Sequence, residues 1–450
     1  MRLTDALRLW PGMSVAFVGA GGKSSALAAL AREGPAPVLL TTSTRVGREQ
    51  SNLASAHLIV REASDLDRIP SLLVDHQSLL VTGPLTDADT KWNGLEEPLL
   101  KALSHESRKA GAVLAIEADG ARGFSLKVPA AHEPVLPDFV DIVSPLVGLD
   151  VLGTSLGGGH VHRPEGLADF LGVPVTDAID QDAIVRILMS AEGALKDVPD
   201  SADVRVLLNK ADDAERLEKA EGIAGRVLAA RPAGPTPSSI RSVLATRLGS
   251  QDPVAAAWGR VAGVVLAAGG SSRLDRPKPL VSFRGRSLVT YAVQAALGAG
   301  LSPVTVVVGH AAEAVRQSLD SFPVRIIENP DWQAGQSSSL RLGLEEVEAS
   351  AEAVVFFLAD MPFVSSTTVR RIVRRYSQTL APVVAPAAAG RRGNPVLFDR
   401  ATFPSLASLT GDTGGRAVFG RFPVEEVACD EAELMDVDTP SDLERLWSME

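Results

Sequence analysis

The sequence holds a single cysteine, Cys429, in 450 residues. That excludes an intramolecular disulfide and any cysteine-cluster zinc or iron–sulfur site, and it points to a reducing compartment, with the cytoplasm as the expected location. An excess of positive charge is also missing: 44 Lys and Arg stand against 55 Asp and Glu, a formal net charge of −11. No global field exists to hold a polyanion by counterion release, so neither nucleic-acid coating nor membrane-surface binding is expected. No apolar run approaches the roughly 18 residues of a spanning helix, and the opening MRLTDALRLWPGMS lacks an export signal's apolar core. Neither insertion nor export is expected. Solenoid repeats and long low-complexity tracts are absent too. What is present suits a folded chain: 45% hydrophobic and 22% charged residues, far from the compositions that stay disordered. At about 150 residues per domain, the length suggests two or three domains.

Two segments open alike, VAFVGAGGKSS at 15–25 and VVLAAGGSSR at 264–273. Each reads as a first strand and the phosphate loop that follows it. After each, β-branched runs alternate with Ala-rich and Leu-rich helical stretches: Val38–Thr42, Val113–Glu117 and 204–208, then 304–309, 324–328 and 354–359. This βαβα order predicts an α/β chain of two domains, P-loop-like or Rossmann-like, with mostly parallel sheets covered on both faces. Residues 231–239 carry three prolines among small polar residues and precede a mixed stretch to about 260. They can continue neither a helix nor a central strand. The boundary is placed there, giving domains 1–250 and 260–450. The two glycine loops share only a layout, so no internal duplication is inferred.

In LAAGGSSRLDRPK (266–278), small residues let backbone N–H groups close around a phosphate chain, while Arg273 and Lys278 neutralise it. The apolar run before Asp360 ends where open parallel sheets bind ligands, at the carboxyl edge. Asp360 is thus placed to hold a metal, or to cap the turn. Asp436 and Asp438 precede the final helix, and separated carboxylates of this kind can meet across a sheet to bind Mg²⁺ bridging phosphate oxygens. Gln336 and the serines Ser337, Ser338 and Ser339 open a predicted helix, which they could cap, or donate from to a nucleotide.

These segments, with GQSSSLRLGL (335–344), LADMPFV (358–364), GRRGNPVLF (390–398), GDTGGRAV (411–418) and DVDTPSDL (436–443), resemble the nucleotidyltransferases of molybdenum cofactor maturation. They are most similar to the molybdenum cofactor cytidylyltransferases, in the same order, over about residues 262–450. The resemblance implies a Rossmann-like domain that takes CTP and Mo-molybdopterin to molybdopterin cytosine dinucleotide and pyrophosphate, with Mg²⁺. It implies nucleotide contacts at Leu266, Ala267, Ala268, Gly269, Gly270, Ser271, Gln336 and Ser337, and a catalytic set of Arg273, Lys278 and Asp360. It implies Mg²⁺ at Asp360, Asp438 and Asp436, and acceptor contacts at Asn394, Asp412 and Arg416. One departure is Asp275, where the family usually has glycine; it adds a carboxylate beside the triphosphate. GTP in place of CTP, a sugar or polyol phosphate as acceptor, and a cofactor-carrying chaperone for molybdenum hydroxylases stand as alternative readings. An apo molybdenum hydroxylase is the expected client.

In the first half, Gly19, Gly21, Gly22, Lys23 and Ser24 follow a strand and open a helix, the context of a phosphate loop. The spacing G-x-x-x-x-G-K-[ST] fails at Phe17, leaving a shorter G-x-x-G-K-S form like that of Mur-type ligases. Lys23 would meet the β- and γ-phosphates and Ser24 a magnesium ion. Glu117 and Asp119 end a buried run as a metal-holding strand would, and Asn209-Lys-Ala-Asp212 has the N-K-x-D form with which GTPases read guanine. EADGARGFSLKVPAAHEPVLP (117–137), VGLDVLG (147–153) and HRPE (162–165) resemble the YqeC family, described as accessory to selenium-dependent hydroxylases, over about residues 5–245. That implies an accessory role with a second nucleotide bound. His160 and His162 have no third ligand in view, so a polar glycine-rich loop is expected there.

Overall fold

The computed structural model describes all residues except 35, 87–89, 231–239, 271–273, 275 and 450. It divides into two units, Met1–Trp258 and Gly259–Glu450, each built on its own sheet. Among the described residues no helix is long and apolar enough to cross a membrane.

The strands of the first unit's large sheet are β1 (Ser14–Gly19), β2 (Val38–Thr42), β3 (Ala56–Ile59), β4 (Ser78–Thr82), β5 (Val113–Glu117), β6 (Ile142–Gly148), β7 (Asp203–Asn209), β8 (Ile240–Thr246) and β9 (Val254–Gly259). Their order in the sheet is β9-β8-β7-β6-β1-β5-β2-β4-β3, and every neighbouring pair from β8 to β3 is parallel. The cause lies in the residues: every position of β2 and β4 is buried, so both faces of the sheet are covered and the strands read as unbroken apolar runs. Helix α1 (Lys23–Glu33) leaves β1, and α2 (Ala214–Ala229) sets Ala220, Ile223, Ala224 and Val227 on one stripe against the core. Strand β6 lies between β1 and β7 although it contains Pro145, which argues against a central strand. Pro145 has no N–H to donate, and the ladder to β7 skips it, pairing Val143 with Val204 and Leu146 with Leu207. The proline-rich stretch expected to mark the joint lies outside the described residues. Strands β8 and β9 follow it and still belong to the first sheet, so the units part only after Trp258.

The second unit holds β10 (Val261–Ala267), β11 (Val304–Val308), β12 (Arg325–Glu328), β13 (Ala353–Leu358), β14 (Val383–Ala388), β15 (Val396–Asp399) and β16 (Val424–Ala428). The order is β12-β11-β10-β13-β15-β14, with β16 beside β14. Strands β12 to β13 are mutually parallel, whereas β15 runs antiparallel to both its neighbours. Helices α3 (Leu288–Gly298), α4 (Gln336–Val347) and α5 (Ser366–Thr379) cover the sheet. Helix α4 buries Leu340, Leu344 and Val347, and α5 buries Val369, Ile372 and Tyr376, both at helical spacing. Each such side chain contributes about 1.5–3 kcal/mol relative to exposure. From β10 the chain goes first to one side, to β11 and β12, and then crosses to β13. The carboxyl end of β10 is therefore a switch point, where open α/β sheets form a crevice. In the first unit β1 occupies the corresponding place, between β5 and β6.

Candidate functional site

A cavity of about 1000 Å³ opens at that switch point of the second unit. Its walls are Leu266, Ala267, Ala268, Gly269 and Gly270 after β10, the turn from Trp332 to Gln336 at the head of α4, and Lys278, Ser339, Asp360, Asp412 and Asp438. With Arg273 and Lys278 counted among the residues expected at the nucleotide, seven of those ten line the cavity: Leu266, Ala267, Ala268, Gly269, Gly270, Lys278 and Gln336. Ser271, Arg273 and Asp275 lie outside the described residues. Lys278 Nζ stands 3.7 Å from Asp360 Oδ2 and makes an ion pair with Asp438 Oδ1. Asp438 is brought there by the backbone: Val437 N–H donates to the Asp360 carbonyl at 3.1 Å, tying the last loop to the end of β13. Burial drives the Asp360 carboxyl up to about 6, with Lys278 opposing the rise and Asp438 and Asp436 adding to it. Asp360 Oδ1 is enclosed with no hydrogen-bond partner among the described residues. A carboxylate so placed beside a second one, with an ammonium held against both, suits a small divalent cation that draws its other ligands from phosphate and water. Among the described residues no three His, Cys, Asp or Glu are grouped to hold a metal. The expected third ligand, Asp436, does not join the pair and acts on Asp360 only as a charge.

The head of α4 explains the triple serine. Gly335 caps the helix at φ +104°, and a Cβ there would lie 2.5 Å from the Gly411 backbone. Ser337 is buried and donates to the Gly411 carbonyl at 2.7 Å, so its hydroxyl is spent inside the protein and does not reach the cavity wall. Asn329 Nδ2 donates to Ser338 Oγ at 2.8 Å and Ser339 Oγ at 2.9 Å, fastening the turn after β12 to the helix. Asp412 Oδ1 accepts from Gln336 N–H at 3.3 Å. Asn394 and Arg416 are not in the wall: Asn394 follows the Arg391–Arg392 edge strand, and Arg416 is exposed on the turn Gly415–Val418. Sequence reasoning passed over Trp332, whose ring lines the cavity beside His310 at 5.3 Å. A tryptophan in a turn carries no period, so no pattern marked it.

In the first unit the glycine loop after β1 packs on the ends of β6 and β7. Asn209 Nδ2 donates to the Gly21 carbonyl at 2.6 Å while its Oδ1 accepts from Thr246 Oγ1 and Leu248 N–H. Its amide thus clamps the loop. Lys210 pairs with Asp150 Oδ2 at 2.7 Å, and Asp212 faces Arg216 at the surface, so the N-K-x-D residues point to different tasks. Lys23 is buried and paired with Asp119 Oδ1 at 3.0 Å. Asp119 Oδ2 accepts from Gly19 N–H at 2.9 Å and pairs with Lys127 at 2.9 Å, and Lys127 pairs in turn with Glu133 at 2.9 Å. Burial alone would raise the Glu133 carboxyl, but Lys127, the Ala130 N–H and Arg163 outweigh it and hold it down at about 2. Ser24 Oγ reaches Glu117 at 3.4 Å and receives Gln50 Nε2 at 2.9 Å. Burial raises the Glu117 carboxyl.

The family described as the MobA-like NTP transferase domain matches residues 263–427, and the YqeC protein family matches residues 15–165. Nicotine blue oxidoreductase of Paenarthrobacter nicotinovorans is 36% identical over 201 residues, 41% of this chain and 96% of that protein. YqeC of Escherichia coli K12 is 31% identical over 195 residues, 41% of this chain and 71% of that protein. The crystal structure of Rv0371c from Mycobacterium tuberculosis covers 42% of this chain and 97% of its own at 34% identity, with a TM-score of 0.38. The chain belongs, through its second unit, to the MobA-like nucleotidyltransferases and, through its first, to the YqeC proteins.

Proposed function

We propose that the second unit transfers CMP from CTP to the terminal phosphate of Mo-molybdopterin, releasing pyrophosphate and giving molybdopterin cytosine dinucleotide. The observation that carries this reading is Lys278 held against Asp360 and Asp438, a cation and two carboxylates lining one cavity with the glycine loop. Such a site suits phosphate chemistry, where positioning and charge neutralisation supply the rate and no protein nucleophile is needed. An oxygen of the acceptor phosphate attacks the α-phosphorus, the bridging bond to the β-phosphate breaks, and pyrophosphate leaves with its electron pair. Gly269 and Gly270 lie along the triphosphate, Lys278 turns its ammonium to it, and Arg273 takes the same task from its place in the loop sequence. Asp360 and Asp438 would hold Mg²⁺, which when bound neutralises phosphate charge. Asp412 in the wall, with Asn394 and Arg416 outside it, is assigned to the acceptor. In the first unit a second nucleotide is proposed at Gly19, Gly21, Gly22, Lys23 and Ser24, its phosphates competing with Asp119 for Lys23. An accessory role toward an apo molybdenum hydroxylase is proposed for the same unit.

The relative named an oxidoreductase favours a second reading, a redox reaction on an organic substrate in the same cavity. The two readings separate in one assay. Transfer predicts Mg²⁺-dependent release of pyrophosphate from a nucleoside triphosphate only when the acceptor is present; a redox enzyme releases none.

The raised Asp360 carboxyl gives a pH dependence with a definite sign. Only the ionised form holds a cation, so activity should fall as pH drops through about 6 at low Mg²⁺. More Mg²⁺ favours the ionised form and should move that limb to lower pH. Rates measured across pH at two Mg²⁺ concentrations check this; a limb that ignores Mg²⁺ contradicts the assignment.

A further inference from the structure

Trp332 sits in the turn after β12, and its indole spans the ends of two neighbouring strands. A Cβ on Gly270 would lie 2.7 Å from the ring, and one on Gly309 would lie 2.8 Å from the Trp332 side chain. These two glycines are therefore the space the indole occupies, and the ring lies along the glycine loop itself. His310 meets it edge-on, with ring planes at 68°. Trp332 also lines the cavity, whose wall includes Gln333 and Gln336. Strand β10 separates this aromatic end from Asp360 at the end of β13, so the cavity has a charged side and an aromatic side.

We propose that Trp332 is the stacking platform for the base of the donor nucleotide. This rests on the transferase reading above and adds to it the residue that holds the nucleoside. If phosphates lie on Gly269 and Gly270, the group covalently attached to them is the one within reach of a ring touching Gly270. The acceptor has only to bring its terminal phosphate to the charged side. A planar heterocycle with hydrogen-bonding edges fits an aromatic face in a cavity whose wall also carries polar residues. Every base has a π-face, so the platform serves pyrimidine and purine alike and leaves the choice between them to the edges.

The test is calorimetric titration of the full-length protein with Mg²⁺ and CTP, GTP or inorganic tripolyphosphate, which has the phosphates and no base. Trp332→Ala is expected to weaken whichever nucleotide the wild type prefers by about tenfold or more, while tripolyphosphate changes less than about twofold. Trp332→Phe keeps an aromatic face and should stay within about threefold of wild type for the nucleotide. Equal losses for nucleotide and tripolyphosphate would mean that Trp332 only props the loop, and would overturn the inference. So would unchanged nucleotide affinity in both variants. A wild type that binds neither nucleotide overturns the transferase reading, and the platform with it.

Discussion

Asp360→Asn is expected to lower nucleotidyl transfer by about a hundredfold or more while the protein stays folded. The carboxylate sits at the end of β13 with Oδ1 unsatisfied among the described residues, and its Oδ2 faces Lys278. Asparagine keeps the shape and the backbone bond from Val437, but it carries no charge for a divalent cation. Losing one such ligand removes several kcal/mol of transition-state charge stabilisation, and each ~1.4 kcal/mol is a factor of ten in rate. Stability should move the other way. The folded protein prefers this group protonated up to about pH 6, so the ionised side chain costs stability above that pH and a neutral amide does not. The variant should melt at or above the wild-type temperature at pH 7.5 or so. Turnover near wild type would remove Asp360 from the metal site, and a lower melting temperature would mean that the carboxylate supports the fold.

The largest effect on stability is expected from Asp119→Ala in the first unit. Asp119 answers two buried ammonium groups, Lys23 and Lys127, and also accepts from Gly19 N–H. Removing it leaves Lys127 with Glu133 but takes from Lys23 its ion-pair partner, leaving the Gly19 carbonyl and the more distant charge of Glu117. Breaking a buried pair from one side costs about 3–5 kcal/mol, because the surviving charge is left without compensation. Denaturant unfolding followed by hydrogen exchange in β1 and β5 measures it. A loss below about 1 kcal/mol would show that Lys23 leaves the interior at little cost, and would recast it as a group already poised to meet phosphate.

The parts of the fold that sequence reading recovered are those where one local pattern suffices. Val38–Thr42 and Val113–Glu117 are strands, and each glycine loop joins a strand to a helix or turn at its sheet's switch point. Strand β6 escaped because Pro145 contradicts strand propensity and only the skipped ladder contact makes it tolerable. Asp438 and Asp360 both reach Lys278, in line with carboxylates meeting across a sheet, whereas which aspartate of the D-V-D string turns toward that lysine could not be read from the string. Ser337 looks like its two serine neighbours in sequence; burial against Gly411 sets its task. Lys23 reads as a phosphate lysine from its loop, and its pairing with Asp119 is a contact across about a hundred residues that no spacing rule encodes.

The most direct test of the account is the mass of the product formed from Mo-molybdopterin, Mg²⁺ and each nucleoside triphosphate in turn. The expected product is a dinucleotide joining molybdopterin to CMP through a new pyrophosphate bridge, made with CTP in preference to GTP and absent with Asp360→Asn. A product built with GMP would keep the transferase and reject its cytidylyl choice; molybdopterin recovered unchanged with every nucleotide would contradict the account itself.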